Sequence, residues 1–196
     1  MRKSGILMHI SSLPSEYGIG KMGSSAYDFV DFLVQSGVKC WQILPLSPTS
    51  YGDSPYQSFS VYAGNPYFID FDALKQEGLL KKSDYQNIKW QDNPNQVNYS
   101  RIYENCYKVL KIAYKTYRRD ISKKYGSFVE KNKDWLEDYA LFMAVKDRFE
   151  GVEWTKWAED IRLRWNNAMD YYREELYFDI EFQQYMQFKF YEQWMK

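Results

Sequence analysis

Among 196 residues, the stretch best equipped for chemistry is Tyr51-Gly52-Asp53-Ser54-Pro55-Tyr56-Gln57-Ser58-Phe59-Ser60, continuing to Ala63-Gly64-Asn65-Pro66-Tyr67. Gly52 permits an unusual backbone angle, Asp53 can bond its own turn, and Pro55 stiffens the chain ahead of an aromatic residue. A loop held in this way offers the faces of Tyr51 and Tyr56 to a sugar ring, with Asp53, Ser54 and Gln57 as hydrogen-bonding groups. Sugars present C–H faces that stack on aromatics and hydroxyls that need partners. A plainer reading stands beside it: a tyrosine-rich surface loop with an Asx turn. The carboxylate pairs Glu159-Asp160 and Glu174-Glu175 are better read as solvated helix faces than as catalytic pairs, because adjacent helical residues point in different directions. The single histidine, His9, has a packing role and a substrate contact as its two readings.

The elements that would position these groups change character near residue 70. Gly5-Ile6-Leu7-Met8-His9-Ile10 reads as a buried strand ended by Ser11-Ser12-Leu13-Pro14. Ser24 and Ser25 offer N-cap oxygens to a helix with Ala26, Phe29, Val30 and Leu33 at helical spacing, and Gly37 supplies a stop. Cys40-Trp41-Gln42-Ile43-Leu44 is a second strand, ended by Pro45. Strand, helix and strand on short links form a βαβ unit, the building block of parallel sheets and barrels. Loops after strand C-termini carry ligand sites in such architectures, so Ser11–Gly20 and Ser47–Asn65 are expected on one rim. From Phe71 onward the pattern is helical. Helices are expected over about Val97–Tyr125, Lys133–Phe149, Trp154–Tyr172 and Phe178–Met195, with Gly126 and Gly151 as separators. The last pattern runs to Trp194-Met195-Lys196 without a stop signal, which is the expectation for a piece of a longer protein.

Composition narrows the classes. Lys plus Arg and Asp plus Glu both number 26, so bulk charge favours neither nucleic acid nor an anionic membrane. The chain carries 19 Tyr and 7 Trp, which suit carbohydrate and equally fill helix cores. No run approaches the ~20 apolar residues of a membrane span, and the basic start lacks the apolar core of a secretory signal. Cys40 and Cys106 match no metal spacing and fit buried or inert thiols in a reducing compartment. No cofactor is implied by any spacing, and a cytoplasmic protein is the default.

Four blocks, Ser4 to Pro14, Tyr17-Gly18-Ile19-Gly20, Trp41 to Leu46, and Tyr51 to Tyr67, resemble in order and spacing the amylomaltases, the 4-alpha-glucanotransferases of glycoside hydrolase family 77. The helical part, with Asp134 to Phe142, Trp154-Thr155-Lys156-Trp157 and the Gln183–Trp194 stretch, is similar to the subdomain this family inserts into its barrel. The resemblance implies an α/β fold: residues 1–70 as the first two strands, one helix and substrate loops of a (β/α)8 TIM barrel, and 71–196 as a mainly helical subdomain leading toward the next barrel strand. About 250 residues are typical of such a barrel, so it would be incomplete in this chain. It further implies transfer of α-1,4-glucan segments to the 4-OH of glucose or a maltooligosaccharide by a retaining double displacement. Ser54 and Tyr56 would contact the glucosyl residue beside the scissile bond, Asp53 and Gln57 would shape the loop, and Tyr51 would stack on a longer glucan. The aspartate nucleophile, the glutamate acid/base and a stabilising aspartate would lie on later strands, leaving no catalytic residue here and no activity in these residues alone. The alternatives are a non-catalytic α-glucan-binding module, a helical interaction protein that leaves the Gly/Pro/Ser/Tyr blocks unexplained, and an α-amylase-type hydrolase that lacks these four blocks. Neither nucleic acid nor a membrane is an expected partner.

Overall fold

The computed structural model describes residues 2–50 and 52–196. Strand β1 (Gly5–Leu7) pairs in parallel with β2 (Cys40–Gln42), Gly5 opposite Cys40 and Leu7 opposite Gln42. The strands are shorter than the apolar runs, because Ile10–Ser12 already turns as a 3-10 helix. Two contacts extend the pairing: Met8 N–H donates to the Gln42 carbonyl at 3.0 Å, and the Trp41 indole donates to the Met8 carbonyl at 2.7 Å. Between the strands runs α1 (Ser24–Gln35), completing the βαβ unit.

Helix α1 differs from expectation at both its start and its face. Its N-cap is Gly23, without a side-chain bond, and Ser24 and Ser25 are its first helical residues. Gly23 lies where an added Cβ would meet Asp70 Oδ2 at 2.3 Å, so close approach rather than capping sets this entry. Of the expected apolar face only Leu33 is buried, while Tyr27, Val30, Phe32 and Val34 are exposed. The exit follows the sequence. Gly37 has φ +69°, Val38 N–H reaches the Leu33 carbonyl and Gly37 N–H the Val34 carbonyl, the paired bonds of a Schellman ending.

Beyond the second strand come α2 (Phe71–Gln76), α3 (Tyr99–Tyr117), α4 (Lys123–Arg148), α5 (Glu159–Arg162), α6 (Asn166–Glu175) and α7 (Tyr177–Trp194). Gly126 does not separate helices; it lies inside α4. The break falls at Arg118–Ser122, where the Ser122 side chain accepts from Tyr125 N–H and starts α4 anew. The expected helix over Trp154–Tyr172 is three pieces: a 3-10 turn at Trp154–Lys156, then α5 and α6, parted where Arg164 takes φ +58°. Met1 and Tyr51 lie outside the described residues. Cys106 is buried but Cys40 is exposed, so burial accounts for only one of the two thiols.

Two compact units result: Met1–Ile121 with Lys189–Lys196, and Ser122–Phe188. Their boundaries fall at 121/122 and 188/189. In the first, Ile69, Phe71, Leu74, Tyr85, Leu110 and Ala113 are fully buried. Lys21 is buried there too, donating to the carbonyls of Tyr67 at 2.8 Å and Ile69 at 3.1 Å, with its ammonium 3.9 Å from the Phe71 ring centroid. The second unit is built on Leu141, Ala144, Val145, Trp157, Ile161, Ala168, Met169 and Leu176. No helix among the described residues is long and apolar enough to cross a membrane.

Candidate carbohydrate site

The loop after β2 is a braced hairpin. Its base closes where Asn65 N–H donates to the Leu46 carbonyl at 2.7 Å. Farther out, Thr49 and Ser58 form an antiparallel bridge, and Ser50 N–H donates to the Gln57 carbonyl at 3.1 Å. The tip is the turn Ser54–Gln57, with Gln57 N–H on the Ser54 carbonyl at 3.1 Å and Pro55 at the second position, where its fixed φ suits a turn. Gly52 has φ +89° and Asp53 φ +54°. Glycine bears the first without penalty, and aspartate is one of the few side chains that tolerates the second. Three bonds and a proline thus hold a surface segment with little conformational freedom left to lose on binding.

The sequence-derived residues occupy different places on this hairpin. Tyr56 is exposed, 75% of its surface open, Gln57 is exposed and Ser54 half-buried. Ser54 Oγ accepts from Tyr56 N–H at 3.4 Å. Asp53 is half-buried and accepts from Thr49 Oγ1 at 3.4 Å. Burial pushes its carboxyl pKa upward, with the Thr49 bond opposing. Tyr51 lies outside the described residues, so its proposed stacking role has no geometry here. A cleft of about 310 Å³ beside the hairpin base is lined by Leu46, Val61, Tyr62, Tyr191 and Trp194 among others, but not by Ser54, Tyr56 or Gln57.

One residue that the sequence did not mark is Tyr99, half-buried at the start of α3. Burial first and then the Asp53 charge raise its phenol pKa, with the Ser11 side chain opposing. Ser11 and Asp53, one from each of the two expected loops, both influence this phenol. Tyr99 lies more than forty residues after Asp53, and nothing local in the sequence marks it. Asn65 did carry a signal, an amide before proline: its side chain accepts from Tyr67 N–H at 3.0 Å and caps the 3-10 turn Pro66–Phe68. His9 packs edge-on to Phe68, ring centroids 5.3 Å apart, and burial lowers its pKa, which favours the packing role. Glu159, Glu174 and Glu175 are exposed and Asp160 is half-buried, on helix ends in the second unit.

A family model described as 4-alpha-glucanotransferase matches residues 8–196. The chain belongs to the 4-alpha-glucanotransferase family. It is 49% identical over 187 residues to the 4-alpha-glucanotransferase of Clostridium butyricum, covering 95% of this chain and 38% of that protein. It is 46% identical over 198 residues to that of Streptococcus pneumoniae, covering 100% of this chain and 39% of that protein. Among solved structures, the amylomaltase of Streptococcus agalactiae in complex with acarbose is 43% identical, with a TM-score of 0.95 over 100% of this chain and 40% of that one. The chain thus spans roughly two fifths of the length of these relatives. Over these residues the chain has an α/β start with a two-stranded parallel sheet and a mainly helical remainder.

Proposed function

We propose that these residues serve a 4-alpha-glucanotransferase that moves α-1,4-glucan segments to the 4-OH of glucose or a maltooligosaccharide. Residues 1–70 form the start of a (β/α)8 barrel with its substrate loops. Residues 71–196 form the helical insert and the helix that leads to the next strand, with 71–121 packed on the barrel side of the unit boundary. In a retaining transfer one carboxylate attacks the anomeric carbon while a carboxylic acid about 5–5.5 Å away protonates the leaving oxygen. An acceptor hydroxyl then takes the place of water, delivering its proton to that second carboxylate as the glycosyl–enzyme bond breaks. These carboxylates belong to later strands, and the present residues contribute binding: the face of Tyr56, the hydroxyl of Ser54 and the amide of Gln57, with Asp53 shaping the turn and Tyr51 extending the contact to longer glucans.

The observation that carries this reading is the braced hairpin after β2, which displays Tyr56 and Gln57 outward, with Ser54 half-buried beside them. Family membership supplies the substrate class, and the Streptococcus agalactiae relative is solved with acarbose. A chimera tests it: these 196 residues replace the matching 38% of the Clostridium butyricum enzyme. The chimera is expected to disproportionate maltotriose, and the 196 residues alone are expected not to. Ser54→Ala and Tyr56→Ala in the chimera should each lower kcat/KM by at least tenfold. A folded chimera whose transfer is indifferent to both substitutions refutes the role of the hairpin.

A further inference from the structure

The second unit carries a groove that the reading above does not use. It runs between the N-terminal halves of α4 and α7 and encloses about 330 Å³, at the lower end of small-molecule sites. From α7, Tyr177, Glu181 and Gln184 line it; their i, i+4, i+7 spacing sets them on one helix face. Tyr125, Gly126 and Glu130 face them from α4. Tyr177 is 59% exposed, and Gln184 Oε1 accepts from the Tyr125 hydroxyl at 3.3 Å. Glu130 Oε1 accepts from Lys133 at 2.6 Å.

Gly126 is the informative residue. It lies inside a 26-residue helix, where glycine costs about 1 kcal/mol relative to alanine. Its φ is not positive, and a Cβ built on it would meet nothing within 4 Å. Neither backbone torsion nor packing therefore calls for glycine. What the missing side chain preserves is the open floor of the groove.

The geometry points to a second glucan-binding site here, taking a short segment of an α-1,4-linked glucan across Gly126. An exposed tyrosine face, carboxylate oxygens and a carboxamide, with Val129 and Ile180 as apolar lining, match a neutral polyhydroxylated ring and its C–H faces. No lysine or arginine lines the groove, which disfavours an anion. The inference rests on the reading that the protein acts on α-glucans, because that reading supplies the ligand.

The test is a maltoheptaose titration of the whole 196-residue chain, followed by amide shifts in an isotope-labelled sample. The shifts of Gly126 and Tyr177 are expected to move with the sugar. Tyr177→Ala should weaken that response at least fivefold, and Gly126→Leu, which fills the floor while improving helix propensity, should abolish it. Ser54→Ala with Tyr56→Ala serves as the control for the hairpin, and should leave the Gly126 response intact. Loss of the hairpin response alone, or its absence from the start, would count against the proposed function and leave the groove standing. Unmoved Gly126 and Tyr177 amides, or a response that Gly126→Leu leaves at full strength, would overturn the inference.

Discussion

Replacing Gly64 by alanine sets a single methyl group against a single ring. Gly64 ends the loop that carries the hairpin, and a Cβ there would lie 2.1, 2.2 and 2.4 Å from Cδ1, Cε1 and Cγ of Phe190. Ordinary carbon contacts sit near ~3.5–4.0 Å, so relief requires a shift of well over an ångström. Phe190 is only 3% exposed, its one open side being the cleft at the hairpin base, and the Asn65–Leu46 bond holds the loop from the other side. The φ of Gly64 is not positive, so the penalty is steric rather than torsional. Overpacking of this kind costs about 1–3 kcal/mol, and the depth of this overlap places Gly64→Ala near ~3 kcal/mol. Phe190→Ala alone should cost about 3–5 kcal/mol through the cavity it leaves. In the double variant the methyl group enters that cavity, so the pair should cost no more than Phe190→Ala by itself, a coupling of about −3 kcal/mol. Urea unfolding of the four proteins, followed by tryptophan fluorescence at constant m-value, measures it. Additive losses would refute the reasoning, because they would mean that the methyl group and the ring do not compete for the same space.

Lys21→Met should destabilise the chain by about 2 kcal/mol in the same assay: two charge-assisted bonds to the Tyr67 and Ile69 carbonyls are lost, partly offset by no longer burying an ammonium. His9, the only histidine, should titrate by NMR with a midpoint below the ordinary 6.5, since burial disfavours its charged form. The unfolded chain then binds the proton more readily, so this group's contribution to stability is full above pH 6.5 and declines as pH falls from there through the folded midpoint; a midpoint at or above 6.5 would contradict the burial. Tyr56→Ala should change unfolding free energy by no more than about 0.5 kcal/mol because the ring packs on nothing that unfolding exposes; a loss above ~1 kcal/mol would assign the ring to the fold rather than to a ligand.

Much of the first unit is legible in the sequence because its signals are local. The apolar runs at Gly5 and Cys40, the glycine stop at Gly37 and the turn residues Gly52, Asp53 and Pro55 each act within a few positions of themselves, and the strand–helix–strand order and the tight turn follow from them. Family membership was equally readable, since motif order survives without coordinates. Gly126 shows where local logic fails: in isolation glycine reads as a helix break, yet α4 runs through it because Tyr125 and the densely buried second half from Leu136 to Val145 anchor the helix, and burial outweighs a propensity cost of ~1 kcal/mol. The helical face of α1 failed in the opposite sense, its spacing correct and its burial mostly unmet among the described residues. Only the tertiary structure brings Tyr99 under the influence of Ser11 and Asp53, buries Lys21 beneath Tyr67 and Ile69, and sets Gly64 under Phe190. Each of these depends on segments distant in the chain meeting at a few ångströms, and the position of a residue along a polymer carries no record of which remote neighbour the packed core will bring to it.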